Sequence, residues 1–140
     1  MPDPLSITVS ITALLHVTKS ILSYLRDVWD APDDRVKLTS EKVSHLDILL
    51  TLLQARVKQA KPEDPWFAAV LGLLAPKEGV LDQLKSHLDQ LALKLEPAKG
   101  LKGVKNRVTR VVNKTETMDI LYKIERTKTL VTLVLTDDLL

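Results

Sequence analysis

The chain has 140 residues, enough for one domain with a real core, and at 45% hydrophobic but only 4% aromatic that core must be built from Leu, Val and Ile. A net charge of +2 is too slight to argue for nucleic acid. Cysteine is absent, which excludes disulfides and thiol-based metal or catalytic chemistry.

The stretch from Pro4 to Trp29 organises the rest. It carries no charge between Asp3 and Lys19, and Ile7, Ile11, Leu14, Ile21, Leu25 and Val28 recur at the spacing of one helix face. A strand is the competing reading. Leu5, Ile7, Val9 and Ile11 alternate with Ser6, Thr8, Ser10 and Thr12, and many of these residues are β-branched. A lone strand would need a partner for its backbone groups, and no second strand follows, so the helix is the expectation. Poor helix propensity predicts that this end is held less firmly than the others. The start lacks the basic region of a secretory signal, which points to an intracellular protein.

Ala31-Pro32-Asp33-Asp34 breaks this helix and offers Asp caps to the next. From Arg35 to Lys61 the seam Val43, Leu46, Leu50, Leu53, Val57, Ala60 keeps a heptad-like step. After a turn, Asp64 is placed to cap and Pro65 to begin a short apolar helix through Leu74. Its Trp66, Phe67, Val70, Leu71, Leu73 and Leu74 look like a plug for one end of a bundle. Leu81, Leu84, Leu88, Leu91 and Leu95 form another clean seam, stopped near Pro97. Leu101, Val104, Val108 and Val111 hold helical spacing, weakened by Gly100, Gly103 and Asn106. Asn113 with Glu116 resembles a capping box for a last helix whose apolar positions are Ile120, Leu121, Ile124, Val131, Val134 and Leu135. The whole, residues 1–140, reads as a single all-α domain. The expected form is an antiparallel bundle of four long helices with one or two short ones.

Catalytic chemistry finds little support. His16, His45 and His87 lie far apart, with no second ligand at metal spacing, and read as surface or boundary residues. The pairs Asp33-Asp34, Glu63-Asp64 and Asp137-Asp138 fall at helix ends, where caps and dipole complements are expected. No phosphate loop or nucleophile elbow occurs. The chain reads as a non-enzyme without a cofactor.

Two features rise above that background. One is a basic cluster, Lys99, Lys102, Lys105, Arg107, Arg110 and Lys114, with no acid between Glu96 and Glu116. It is either a solvated segment or a surface for anionic lipid, attracted by ~1 kcal/mol per basic residue. The other is the N-terminal stretch. Extended to Leu25 it reaches roughly 33 Å, matching the ~30 Å hydrocarbon core. That length includes Lys19; a central Lys costs about 2.5–3.5 kcal/mol, while the aliphatics through Val17 return about 3 kcal/mol. That balance is near zero, so the segment is either a plain core helix or one stored in a bundle and released onto a membrane.

The opening Asp3-Pro4-Leu5-Ser6-Ile7 and Tyr24-Leu25-Arg26-Asp27-Val28 resemble the N-terminal HeLo-like domain of fungal NLR-type and STAND proteins. So do Ala60-Lys61-Pro62-Glu63-Asp64-Pro65-Trp66-Phe67, Leu81-Asp82-Gln83-Leu84-Lys85, Lys94-Leu95-Glu96-Pro97 and Lys123-Ile124-Glu125-Arg126. The likeness spans nearly the whole chain. The group is similar in architecture to the HeLo domain of fungal incompatibility proteins and to the helical bundle of mixed-lineage kinase domain-like protein. The resemblance implies a cell-death effector that oligomerises and permeabilises membranes. It further implies cytoplasmic storage, relocation to the plasma membrane, and a parent protein with nucleotide-binding and repeat modules. On that reading Leu5, Ile7, Val9, Ile11, Leu14 and Leu15 insert into lipid, and the basic cluster holds anionic headgroups. A non-lytic adaptor or oligomerisation domain is the alternative.

Overall fold

A computed structural model describes residues 4–26, 34–61, 63–74, 79–95 and 114–137. Five helices pack together, and no strand occurs among the described residues. They are α1 (Pro4–Arg26), α2 (Asp34–Gln59), α3 (Pro65–Leu74), α4 (Val80–Leu95) and α5 (Thr115–Asp137).

The first helix settles the competing readings of the N-terminal stretch. A strand would put Ile7, Val9 and Ile11 on one face, whereas Ile7 and Ile11 are buried and Val9 is 61% exposed. The period is therefore 3.6, not 2. Its hydroxyls turn inward on the helix itself. Thr12 Oγ1 donates to the Thr8 carbonyl at 2.9 Å, Thr18 Oγ1 to Leu14 at 2.7 Å and Ser20 Oγ to His16 at 3.2 Å. A hydroxyl satisfied by the preceding turn needs neither water nor a neighbouring strand, which explains how so Ser/Thr-rich a segment stays helical.

The seams read from sequence form the core. Val43, Leu46, Leu50, Leu53 and Val57 of α2 are buried, as are Leu81, Leu84, Leu88, Leu91 and Leu95 of α4. Ile120, Leu121, Ile124, Val131 and Val134 of α5 join them, with Trp66, Phe67 and Leu74 of α3, in one cluster. Ala60 and Leu135 pack at its edge. The α3 start follows its sequence signal. Asp64 Oδ1 accepts the Trp66 amide at 2.9 Å, with Pro65 in the first helical position. At the start of α5 only half of the expected capping box falls within the described residues. Asn113 lies outside the described residues, and the Glu116 carboxylate is engaged by Lys94 of α4 at 2.7 Å.

α1 packs on α2 and α4, and α5 packs on the same two helices. Contacts near the ends give their senses. Thr12 meets Gln54, while Leu22 and Arg26 share a cleft with Ser40 and Ser44, so α1 and α2 run in opposite directions. Lys94 meets Glu116, and Gln83 lines a cleft with Leu130, so α4 and α5 also run oppositely. The segment expected to be helical between Leu101 and Val111 lies outside the described residues.

Candidate functional site

α1 has two unlike faces. Ile7, Ile11, Leu14, Leu15, Ile21 and Leu25 are buried, and Thr18 is buried among them with its hydroxyl satisfied. The opposite stripe, Val9, Thr12, His16, Lys19 and Ser23, is exposed and repeats at alternating steps of three and four. Of the residues expected to insert into lipid, Ile7, Ile11, Leu14 and Leu15 belong to the core and Val9 to the open face; the Leu5 side chain lies outside what is described. From Ile7 to Arg26, 20 residues with mean hydropathy 1.2 are long and apolar enough to cross a membrane, and a third of the most apolar stretch is buried. Those residues extend roughly 30 Å, the thickness of a hydrocarbon core. The core helix of a soluble protein meets the same criteria.

The hold on α1 is chiefly apolar. Gln54 Nε2 donates to Thr12 Oγ1 at 2.7 Å, but at an exposed rim. Six buried aliphatics at about 1.5–3 kcal/mol each place roughly 9–18 kcal/mol of burial on this helix, an upper figure. That rivals the ~5–15 kcal/mol stability of a typical domain. Exposing α1 to water would therefore forfeit burial comparable to the whole stability of such a domain.

Of the basic cluster, Lys99, Lys102, Lys105, Arg107 and Arg110 lie outside the described residues. Lys114 is exposed at the bend that opens α5, where its carbonyl accepts the Met118 amide.

On the far side of the molecule, polar contacts fasten α2, α3 and α5. Arg56 pairs with Asp64 at 3.2 Å and lies over the Trp66 ring, 4.1 Å from its centroid. The Trp66 indole N–H donates to the Val134 carbonyl at 3.0 Å. That carbonyl belongs to the last turn of α5, whose carbonyls the helix cannot satisfy itself. Further along α5, Lys128 is only 5% exposed. Its ammonium donates to Glu125 Oε1 at 2.9 Å and to the Lys42 carbonyl at 3.3 Å, while Lys42 Nζ lies 3.7 Å from the same carboxylate. Burial pushes the Glu125 carboxyl up, but the Lys128 hydrogen bond and the charges of Lys128, Lys42 and His45 outweigh it and hold the group below its ordinary range.

Sequence reasoning missed this latch. Its signal was present, because Lys128 falls between Ile124 and Val131 on the apolar stripe of α5. His16 and His45 are exposed and His87 is half-buried. Among the described residues no group of three or more His, Asp or Glu side chains is placed to hold a metal ion. Compared with protein families, curated proteins and solved structures, the chain finds no match.

Proposed function

We propose that this chain is a membrane-targeting effector, similar to HeLo-like domains, that oligomerises and permeabilises membranes through α1. In this reading the four long helices form an antiparallel bundle that stores α1 in the cytoplasm until clustering releases it at the plasma membrane. The observation that carries the reading is α1 itself: it has membrane-span length and one exposed face. In a bilayer Ile7, Ile11, Leu14 and Leu15 exchange one apolar medium for another, so the burial lost from the core is recovered in lipid. The back-bonded hydroxyls of Thr12, Thr18 and Ser20 lower the cost of leaving water. The basic residues from Lys99 to Lys114 supply attraction to anionic headgroups.

A second reading, a non-lytic adaptor, draws on the outer face of α2. Ile48 and Leu52 sit one turn apart there, 57% and 53% exposed. Such a pair suits a partner helix.

Dye release from anionic liposomes separates the two. The variant to use is Val9→Glu, because Val9 is exposed; Ile11→Glu would bury a carboxylate in the core and test folding instead. The effector reading expects the oligomerised wild type to leak and Val9→Glu, with unchanged melting, not to leak. If neither leaks, the effector reading fails and the adaptor stands. Equal leakage by both removes α1 as the inserting element.

A further inference from the structure

The flank of α5 that faces α4 carries an unused cleft of about 280 Å³. Lys123, Arg126, Thr127 and Leu130 line it from α5, and Gln83 and His87 from α4. Residues three and four apart on each helix project to the same side, so the two helices present facing pairs. No carboxylate lines this cleft among the described residues. Asp119 reaches Lys123 from one turn away, at 3.2 Å, and offsets part of one charge at the rim. Arg126 is exposed and brings a full guanidinium. Thr127 uses its hydroxyl proton on the Lys123 carbonyl, at 3.1 Å.

His87 reports the field inside. Its Nδ1 is enclosed and has no hydrogen-bond partner among the described residues. Burial first, then the charge of Lys123, hold the imidazole below its ordinary pKa, with Asp119 pulling the other way. A proton is thus disfavoured here partly because positive charge is already present. The neighbouring cleft along the same helix pair behaves differently. Glu116 and Asp119 line it beside Lys94 and Lys123, two carboxylates against two ammonium groups, whereas the first cleft meets the Lys123–Asp119 pair at its rim and has Arg126 in addition.

We propose that the cleft of Lys123, Arg126, Gln83 and His87 binds a phosphate monoester. Three terminal oxygens and nearly two negative charges suit the Arg126 guanidinium fork beside the Lys123 ammonium. A carboxylate offers two oxygens and one charge, and a phosphodiester offers one charge without the third terminal oxygen. The monoester is either a small soluble molecule or a lipid headgroup. Neither needs α1 to move, so the inference stands apart from the permeabilisation reading.

The test is calorimetric titration of the 140-residue protein with inorganic phosphate and with glycerol 3-phosphate in chloride buffer. Saturable binding at one site is expected. Arg126→Gln should weaken it about tenfold, the loss of a charge-assisted pair, with an unchanged melting temperature. Lys37→Gln, an exposed cation on α2, should leave it unchanged. Vesicles of phosphatidylcholine carrying either phosphatidic acid or phosphatidylglycerol identify the source. An Arg126-dependent preference for phosphatidic acid assigns a headgroup; binding of the soluble monoesters alone assigns a free ligand. Absence of saturable binding in every arm, or equal weakening by Lys37→Gln, overturns the proposal. If Arg126→Gln loses phosphate yet leaks liposomes like the wild type, the two functions are separate.

Discussion

α1 and the α2–α3–α5 side are both built on buried aliphatic seams, yet they are fastened differently. Trp66 on Val134, Arg56 on Asp64 and Lys128 on the Lys42 carbonyl hold the latter by directional contacts, two of them at or near the last turns of helices. α1 is held mainly by apolar surface, with the Gln54–Thr12 hydrogen bond at an exposed edge. Directional contacts are lost when the partner goes and are not replaced by lipid. Apolar contacts are indifferent to which apolar medium they meet. The comparison teaches that the α2–α3–α5 side depends on directional contacts that an apolar medium would not replace.

The largest expected effect is on the fastened side. Trp66→Ala removes a buried ring and orphans the Val134 carbonyl, so urea denaturation should show a loss of about 3–5 kcal/mol. Trp66→Phe keeps most of the apolar surface and should cost about 1–2 kcal/mol, chiefly the indole hydrogen bond. If Trp66→Phe is as damaging as Trp66→Ala, the carbonyl contact matters more than the packing, and the contrast sharpens.

Glu125→Gln comes next. It leaves the buried Lys128 without its carboxylate, but Glu125 is itself a third exposed and screened by water, so a loss of about 1 kcal/mol is expected. The same variant has a pH signature. The Glu125 carboxyl is held below its ordinary value of 4.5 in the folded state. Its contribution is therefore full above that value and is lost as pH falls through the lower folded value. Stability measured against pH should fall less steeply on the acid limb in Glu125→Gln than in the wild type. Identical limbs would show that the latch contributes nothing.

Gln54→Ala, at the α1–α2 rim, should change stability by less than about 0.5 kcal/mol. A loss above about 1 kcal/mol would mean that α1 is also fastened directionally, and the contrast would fail.

Much of this was legible in the residues. Leucine seams in α2 and α4 carry unbroken three-four spacing, so burial followed from periodicity alone. Asp64-Pro65 announced the start of α3 because capping is local chemistry. The α1 stretch was ambiguous since its β-branched residues satisfy both periods, and the back-bonded hydroxyls that favour the helix exist only once it has formed. Two features escaped for another reason: they depend on pairing across helices. Lys128 meets Lys42 over 86 positions of sequence, and Trp66 meets Val134 over 68. Nothing in local spacing specifies such partners, although a lysine within an apolar stripe marks one end of such a contact.

Because the chain has no cysteine, Val9→Cys and Leu52→Cys each provide a unique site for an environment-sensitive fluorophore, both at exposed positions. The direct measurement is emission from each site, with lipid-borne quenchers at known depth, after the oligomerised protein meets anionic vesicles. The label on α1 should shift to the blue and be quenched from within the hydrocarbon layer, while the label on α2 stays aqueous. An α1 label that remains aqueous as the protein binds, or an α2 label that enters the hydrocarbon equally, would contradict the claim that α1 alone is the helix released.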